Sequence, residues 1–174
     1  MIRFIAVFLM LLPTNVLAAS AEETVLELFA EHRAECVAEQ ASFSNDDTDK
    51  GQPTVVELNL PEGSLYQMKI SVAGKLATVL FANFSCTNIG AGYWCGSSGC
   101  KIYVIVDGAR FQAHGWKPFS MAVKGEVVVM IPKSGGACNQ SNATPCYSIA
   151  IWNNYTESFD STDNVFEFED KYRP

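Results

Sequence analysis

Histidine is scarce, basic residues are outnumbered, and no apolar run is long enough to cross a bilayer. The two histidines, His32 and His114, stand far apart, and neither a Gly-x-Ser-x-Gly elbow nor a His-Glu-x-x-His pair accompanies them. That removes the familiar signatures of serine hydrolases and zinc proteases. Lys and Arg number 12 against 19 Asp and Glu, a net charge of −7. An acidic surface without a basic patch repels phosphate backbones and anionic headgroups, so nucleic acid is not an expected partner. The longest apolar run, Phe4 to Leu12, is shorter than the roughly 20 residues of a membrane span. Asp46, Asp47 and Asp49 lack the regular spacing and the glycine of a calcium loop and are expected to form a solvated acidic turn. No Cys-x-x-Cys pair occurs. Cys95-Gly-Ser-Ser-Gly-Cys100 has four residues between its thiols and no surrounding βαβ pattern, which argues against a redox dithiol or half of a zinc site. No cofactor or metal is expected.

What is present begins with an address. Arg3, the apolar stretch Phe4 to Leu12, Pro13 and the small residues of Val16-Leu17-Ala18 predict a signal peptide over residues 1–18. No cysteine follows the cleavage point directly, which argues against a lipid anchor. Residues 19–174 then form one expected domain, with 11 basic and 19 acidic residues and a net charge of −8. All six cysteines, Cys36, Cys86, Cys95, Cys100, Cys138 and Cys146, lie in that part. An even count on an exported chain predicts three disulfides. The short polar loop between Cys138 and Cys146 makes their pairing the favoured one; Cys36 is expected to bond into the central loop, its partner left open. The chain is expected in the periplasm or outside the cell.

Ser20-Ala21-Glu22-Glu23 has the form of a capping box, and Val25, Leu28, Phe29, His32, Cys36 and Val37 recur at helical spacing. One amphipathic helix over about 21–40 is predicted. The acidic stretch 44–52 reads as a loop. From Thr54 to about 160 the pattern is β: Val55–Leu60, Leu65–Val72, Leu76–Phe84, Lys101–Val106, Arg110–His114, Phe119–Val123, Glu126–Ile131, Cys146–Trp152 and Tyr155–Phe159. Ala73-Gly74-Lys75, Asp107-Gly108, Lys124-Gly125 and Asn153-Asn154 supply hairpin turns. The expected fold is α+β: an N-terminal helix followed by a mainly antiparallel meander, a partial barrel or two-layer sandwich stapled by disulfides. The acidic tail 160–174 offers only Val165, Phe166 and Phe168 as apolar positions.

Aromatics fall in or beside loops as often as within strands: Tyr93, Trp94, Phe111, Trp116, Phe119, Trp152 and Tyr155. Most such residues fill cores and brace hairpins. As a group, Tyr93, Trp94 and Trp116 are the candidate recognition surface, since flat aromatic faces suit sugars and protein partners. The pattern CGSSGC, then an apolar strand, then GGACNQSNATPC and a strand ending in Trp-Asn resembles a group of small exported proteins of Gram-negative bacteria. That resemblance spans about Asn83 to Phe159 and implies an exported, disulfide-bonded protein without an assigned activity. Members often carry an Asp-x-Asn-Gly-Asp-Gly loop before the central strands; here the region reads Asn59-Leu60-Pro61-Glu62-Gly63, so calcium binding does not carry over. The sequence favours a non-enzymatic recognition module, bound to an envelope protein or a glycan or acting as an inhibitor. The alternative is a cell-wall or sugar hydrolase using carboxylates that the sequence does not single out.

Overall fold

The computed structural model describes residues 20–43, 57–86, 94–139, 141, 144 and 146–162. The expected signal peptide (1–18), the expected acidic turn at Asp46–Asp49 and residues beyond 162 lie outside them. Helix α1 (Ala21–Phe43) begins at the capping box: the Ser20 N–H donates to Glu23 Oε2 (2.7 Å), and the Glu23 N–H donates to Ser20 Oγ (3.2 Å). Two otherwise orphaned donors at the helix start are thereby satisfied. Its buried stripe is Val25, Leu28, His32 and Cys36, the spacing of one helical face. The stripe is narrower than the sequence suggests. Val37 is 47% exposed and Leu26 is 64% exposed, so the helix is not cleanly amphipathic.

Eleven strands follow among the described residues: β1 (Leu58–Asn59), β2 (Leu65–Lys69), β3 (Leu76–Ala82), β4 (Ser85–Cys86), β5 (Cys95–Gly96), β6 (Gly99–Val106), β7 (Ala109–Gly115), β8 (Phe119–Val123), β9 (Glu126–Lys133), β10 (Cys146–Asn153) and β11 (Ser158–Thr162). Every pairing is antiparallel. One sheet runs β2-β3-β6 with β5 and β7 paired to β6; a second runs β11-β10-β9-β8; β1 and β4 form a two-stranded ribbon. Among the described residues no barrel closes, because β2 and β7 end one sheet and β8 and β11 end the other. The last hairpin differs from expectation. Asn153 Oδ1 accepts from the N–H groups of Tyr155 (2.9 Å) and Thr156 (3.2 Å). This side-chain turn carries the chain onward, so the returning strand starts at Ser158 rather than Tyr155.

Two cores share β3 and β6. Ala77 and Val79 of β3 and Ile102, Val104 and Val106 of β6 meet Val129, Ile131, Ala150 and Trp152 of the second sheet. The alternate residues, Leu80, Ala82, Tyr103 and Ile105, meet Val25, Leu28 and Cys36 of the helix. Side chains alternate across a strand, so a strand buried on both faces must read as a continuous apolar run. That is why Val79 to Ala82 and Ile102 to Val106 do.

The three disulfides are Cys36–Cys86, Cys95–Cys100 and Cys138–Cys146. Cys95 and Cys100 face each other across a β5–β6 hairpin whose turn is Ser97-Ser98. Cys36 reaches β4, at the start of the central loop.

Candidate functional site

Of the three aromatics singled out as a recognition surface, the two described ones do not share a surface. Tyr93 lies outside the described residues. Trp94 is 2% exposed and belongs to the helix-side core, where its ring stands edge-on to Phe84 at 5.9 Å. It is buried because the following residue, Cys95, pairs with Cys100 on β6, beneath the helix. Trp116 is exposed (48%), and its backbone N–H donates to Pro132 O (2.7 Å).

Trp94 is instead one member of a polar cluster beneath the helix, buried except at Glu35. His32 Nδ1 lies 2.9 Å from Glu35 Oε2, and His32 Nε2 lies 3.0 Å from Tyr103 Oη. The Trp94 indole nitrogen stands 3.1 Å from both His32 Nδ1 and Glu35 Oε2. An indole N–H only donates and a carboxylate only accepts. The arrangement that satisfies every atom puts a proton on His32 Nδ1, facing Glu35, and directs the Trp94 hydrogen to the same carboxylate. Nε2 shares the second bond with the Tyr103 hydroxyl, accepting from it when the ring is neutral and donating to it when the ring is protonated. Burial pushes the Glu35 carboxyl up, but hydrogen bonds from His32 and Trp94, with the charges of His32 and Lys101, hold it below the ordinary range. Burial, and then the charges of Glu35 and Glu31, push the Tyr103 phenol up to about 12.

A carboxylate, an imidazole and a hydroxyl in series have the outline of a nucleophile relay. Access decides against that use. His32 is 1% exposed and Tyr103 3%, so no substrate meets the hydroxyl. The cluster fastens the helix to β6 across 71 residues of chain. His114, on β7, is on the surface; partial burial and the charges of Lys101 and Lys133 lower its pKa.

The two ends of the paired sheets differ in construction. At one end the backbones are locked. Cys100 pairs with Gly115, Cys146 pairs with Lys133, and two disulfides close there. Gly115 packs so closely on Pro132 O and the Ile131 side chain that a Cβ would collide with them. At the other end four hairpin turns gather around Trp152. Asp107-Gly108 and Lys124-Gly125 have positive φ at both positions (46° and 84°, 49° and 85°), the conformation that matches the twist of two-residue hairpins. The β2–β3 turn and the β10–β11 turn complete the set. Lys75 of the former bonds to Asp107 at 2.7 Å, and its ammonium stands 5.0 Å from the centre of the Trp152 ring.

Trp152 points inward from β10, 5% exposed, with Phe159 edge-on at 5.0 Å. It borders a cavity of about 360 Å³ lined also by Ser71, Glu126, Asn153, Asn154 and Asp160. It also borders one of about 370 Å³ lined by Asp107, Thr156 and Glu157. Turns mounted on a rigid scaffold are where binding residues concentrate, and this end is the candidate site. Trp152 stood among the seven loop-associated aromatics in the sequence but not in the favoured group. Cys146, Ser148, Ala150 and Trp152 share the buried face of β10; the sequence hid this, because Tyr147, Ile149 and Ile151 on the other face are at least as apolar, and nothing local revealed which turns surround Trp152.

Fold and site together define an α+β protein braced by disulfides, with an acidic, tryptophan-floored turn end. Compared with protein-family models, curated proteins and solved structures, the chain finds no match in any of the three. Among the described residues no helix is long and apolar enough to cross a membrane.

Proposed function

We propose that this chain is an exported recognition module that binds a ligand or partner in the periplasm or outside the cell without transforming it. The observation that carries the reading is the convergence of four hairpin turns on Trp152 at the end of the molecule opposite two disulfides. Such a site is presented by a scaffold whose far end cannot yield. In this reading the two sheets act as a two-layer sandwich with the helix as a third layer. Export is supported by the signal-like residues 1–18, by three disulfides and by the resemblance to small exported proteins of Gram-negative bacteria. The burial of His32 and Tyr103 inside the core, with only Glu35 reaching solvent, supports binding over catalysis.

The test is saturable binding of the purified chain from residue 19 onward to isolated envelope proteins and to glycans, read by interferometry. Saturation with at least one of them supports the module; none across the whole set sinks it. A cell-wall or sugar hydrolase remains the competing reading because Glu126 and Asp160 flank the Trp152 cavity, and paired carboxyls beside an aromatic are what glycoside hydrolysis uses. Release of reducing ends from a glycan, abolished by Glu126→Gln or Asp160→Asn, would decide for it.

A further inference from the structure

We propose that the cavity beside Trp152 binds a neutral, hydroxyl-rich ligand, a sugar unit, through the indole N–H and the polar side chains of the surrounding turns. The proposal rests on the recognition-module reading and names its ligand class and site. Among the described residues, Trp152 Nε1 is a buried side-chain donor with no hydrogen-bond partner. Buried polar groups in proteins almost always have partners, and an orphan marks a place where a further group belongs. The adjoining cavity of about 360 Å³ falls in the roughly 300–1,000 Å³ range of small-molecule sites.

Its lining selects among ligand classes. Glu126 and Asp160 place two carboxylates there, and among the described residues no lysine or arginine lines it, so anions such as phosphates and uronates are repelled. A bare cation would suit the carboxylates but offers no acceptor to the indole N–H, and the ring already has an ammonium, that of Lys75, over it. A hydroxyl does both things: it accepts from the N–H and donates to carboxylate and amide oxygens. Ser71, whose Oγ accepts from the Lys75 N–H, keeps its hydroxyl hydrogen to donate, and Asn154 adds an amide; Asn153 is spent on its own turn and on Asp160. Ile70, Val127 and the indole supply apolar surface for the C–H face of a sugar ring. The indole N–H is shut from solvent as the chain stands, so binding requires a side chain to move. The neighbouring Lys75–Asp107 pair is suited to that: the side chains are 32% and 75% exposed, and exposed ion pairs hold weakly.

Isotope-labelled chain gives one indole N–H signal for each of its three tryptophans, and the Trp152 signal is the one missing from Trp152→Phe. Titration with maltose, cellobiose and N,N′-diacetylchitobiose over a millimolar range is expected to move that signal saturably with at least one sugar, leaving those of Trp94 and Trp116 in place. Trp152→Phe, which keeps a ring against Phe159 and deletes the donor, is expected to weaken binding by about tenfold, as is the surface variant Glu126→Gln/Asp160→Asn. Movement of the Trp116 signal alone, or tight binding of envelope proteins with the Trp152 signal unmoved by any sugar, overturns this site while the recognition module stands. Failure of every sugar and every envelope protein to bind overturns both.

Discussion

A single β-carbon is enough to part the two sheets at their locked end. Gly115 faces the Pro132 carbonyl and the Ile131 side chain across the interface, and a carbonyl held in a paired strand cannot step aside. Gly115→Ala is expected to cost about 2–4 kcal/mol in urea unfolding, the range of overpacking and backbone displacement. A loss under about 1 kcal/mol would mean that the contact yields freely. At Glu35 the balance is electrostatic. A carboxyl held below its ordinary value of 4.5 favours the folded chain above that pH and loses the advantage as pH falls through the lower folded value. The stability difference between wild type and Glu35→Gln is therefore expected to be largest near neutrality and to shrink in acid. A difference independent of pH would separate the carboxylate's charge from its role in the cluster.

The helix is the element most dependent on remote partners. Its capping box organises the first turn, but its hold on the sheet comes from Leu28, from the His32 cluster and from Cys36–Cys86. The chain-entropy model ties the value of a disulfide to the loop it closes. At a separation of 50 residues, Cys36–Cys86 contributes about 4 kcal/mol; at a separation of 8, Cys138–Cys146 contributes about 2.5 kcal/mol. Cys36→Ala/Cys86→Ala is expected to lose the larger amount and to speed amide exchange along α1 in particular. Cys138→Ala/Cys146→Ala should leave helix exchange near that of wild type. Equal losses, with exchange raised everywhere, would show that the helix does not depend on this link.

At the scale of the whole molecule, β3 and β6 belong to both cores, so loss of either strand opens both. Trp94 sits in one and Trp152 in the other. Fluorescence of Trp94→Phe and of Trp152→Phe, each compared with an amide-region circular dichroism trace of the same variant, is expected to give coincident thermal transitions, the mark of one cooperative unit. A fluorescence transition that precedes the loss of secondary structure would instead assign the helix layer its own, weaker stability.

The sequence by itself determined the local pieces. The helix start follows from Ser20 and Glu23, three residues apart; the hairpins follow from Asp107-Gly108 and Lys124-Gly125, where glycine tolerates positive φ. Cys138 and Cys146 are near enough in the chain to meet across one loop. These features depend on dihedral angles and hydrogen bonds among neighbours, and neighbours are what a sequence displays. Only the tertiary structure decided that Trp94 is buried while Trp116 is exposed, and that His32 meets Tyr103 71 residues away. It alone gathered Ser71, Glu126 and Asp160 around Trp152. Each of those outcomes turns on which strand lies beside which and on which face a side chain leaves, and these are set by the packing of the two cores as a whole.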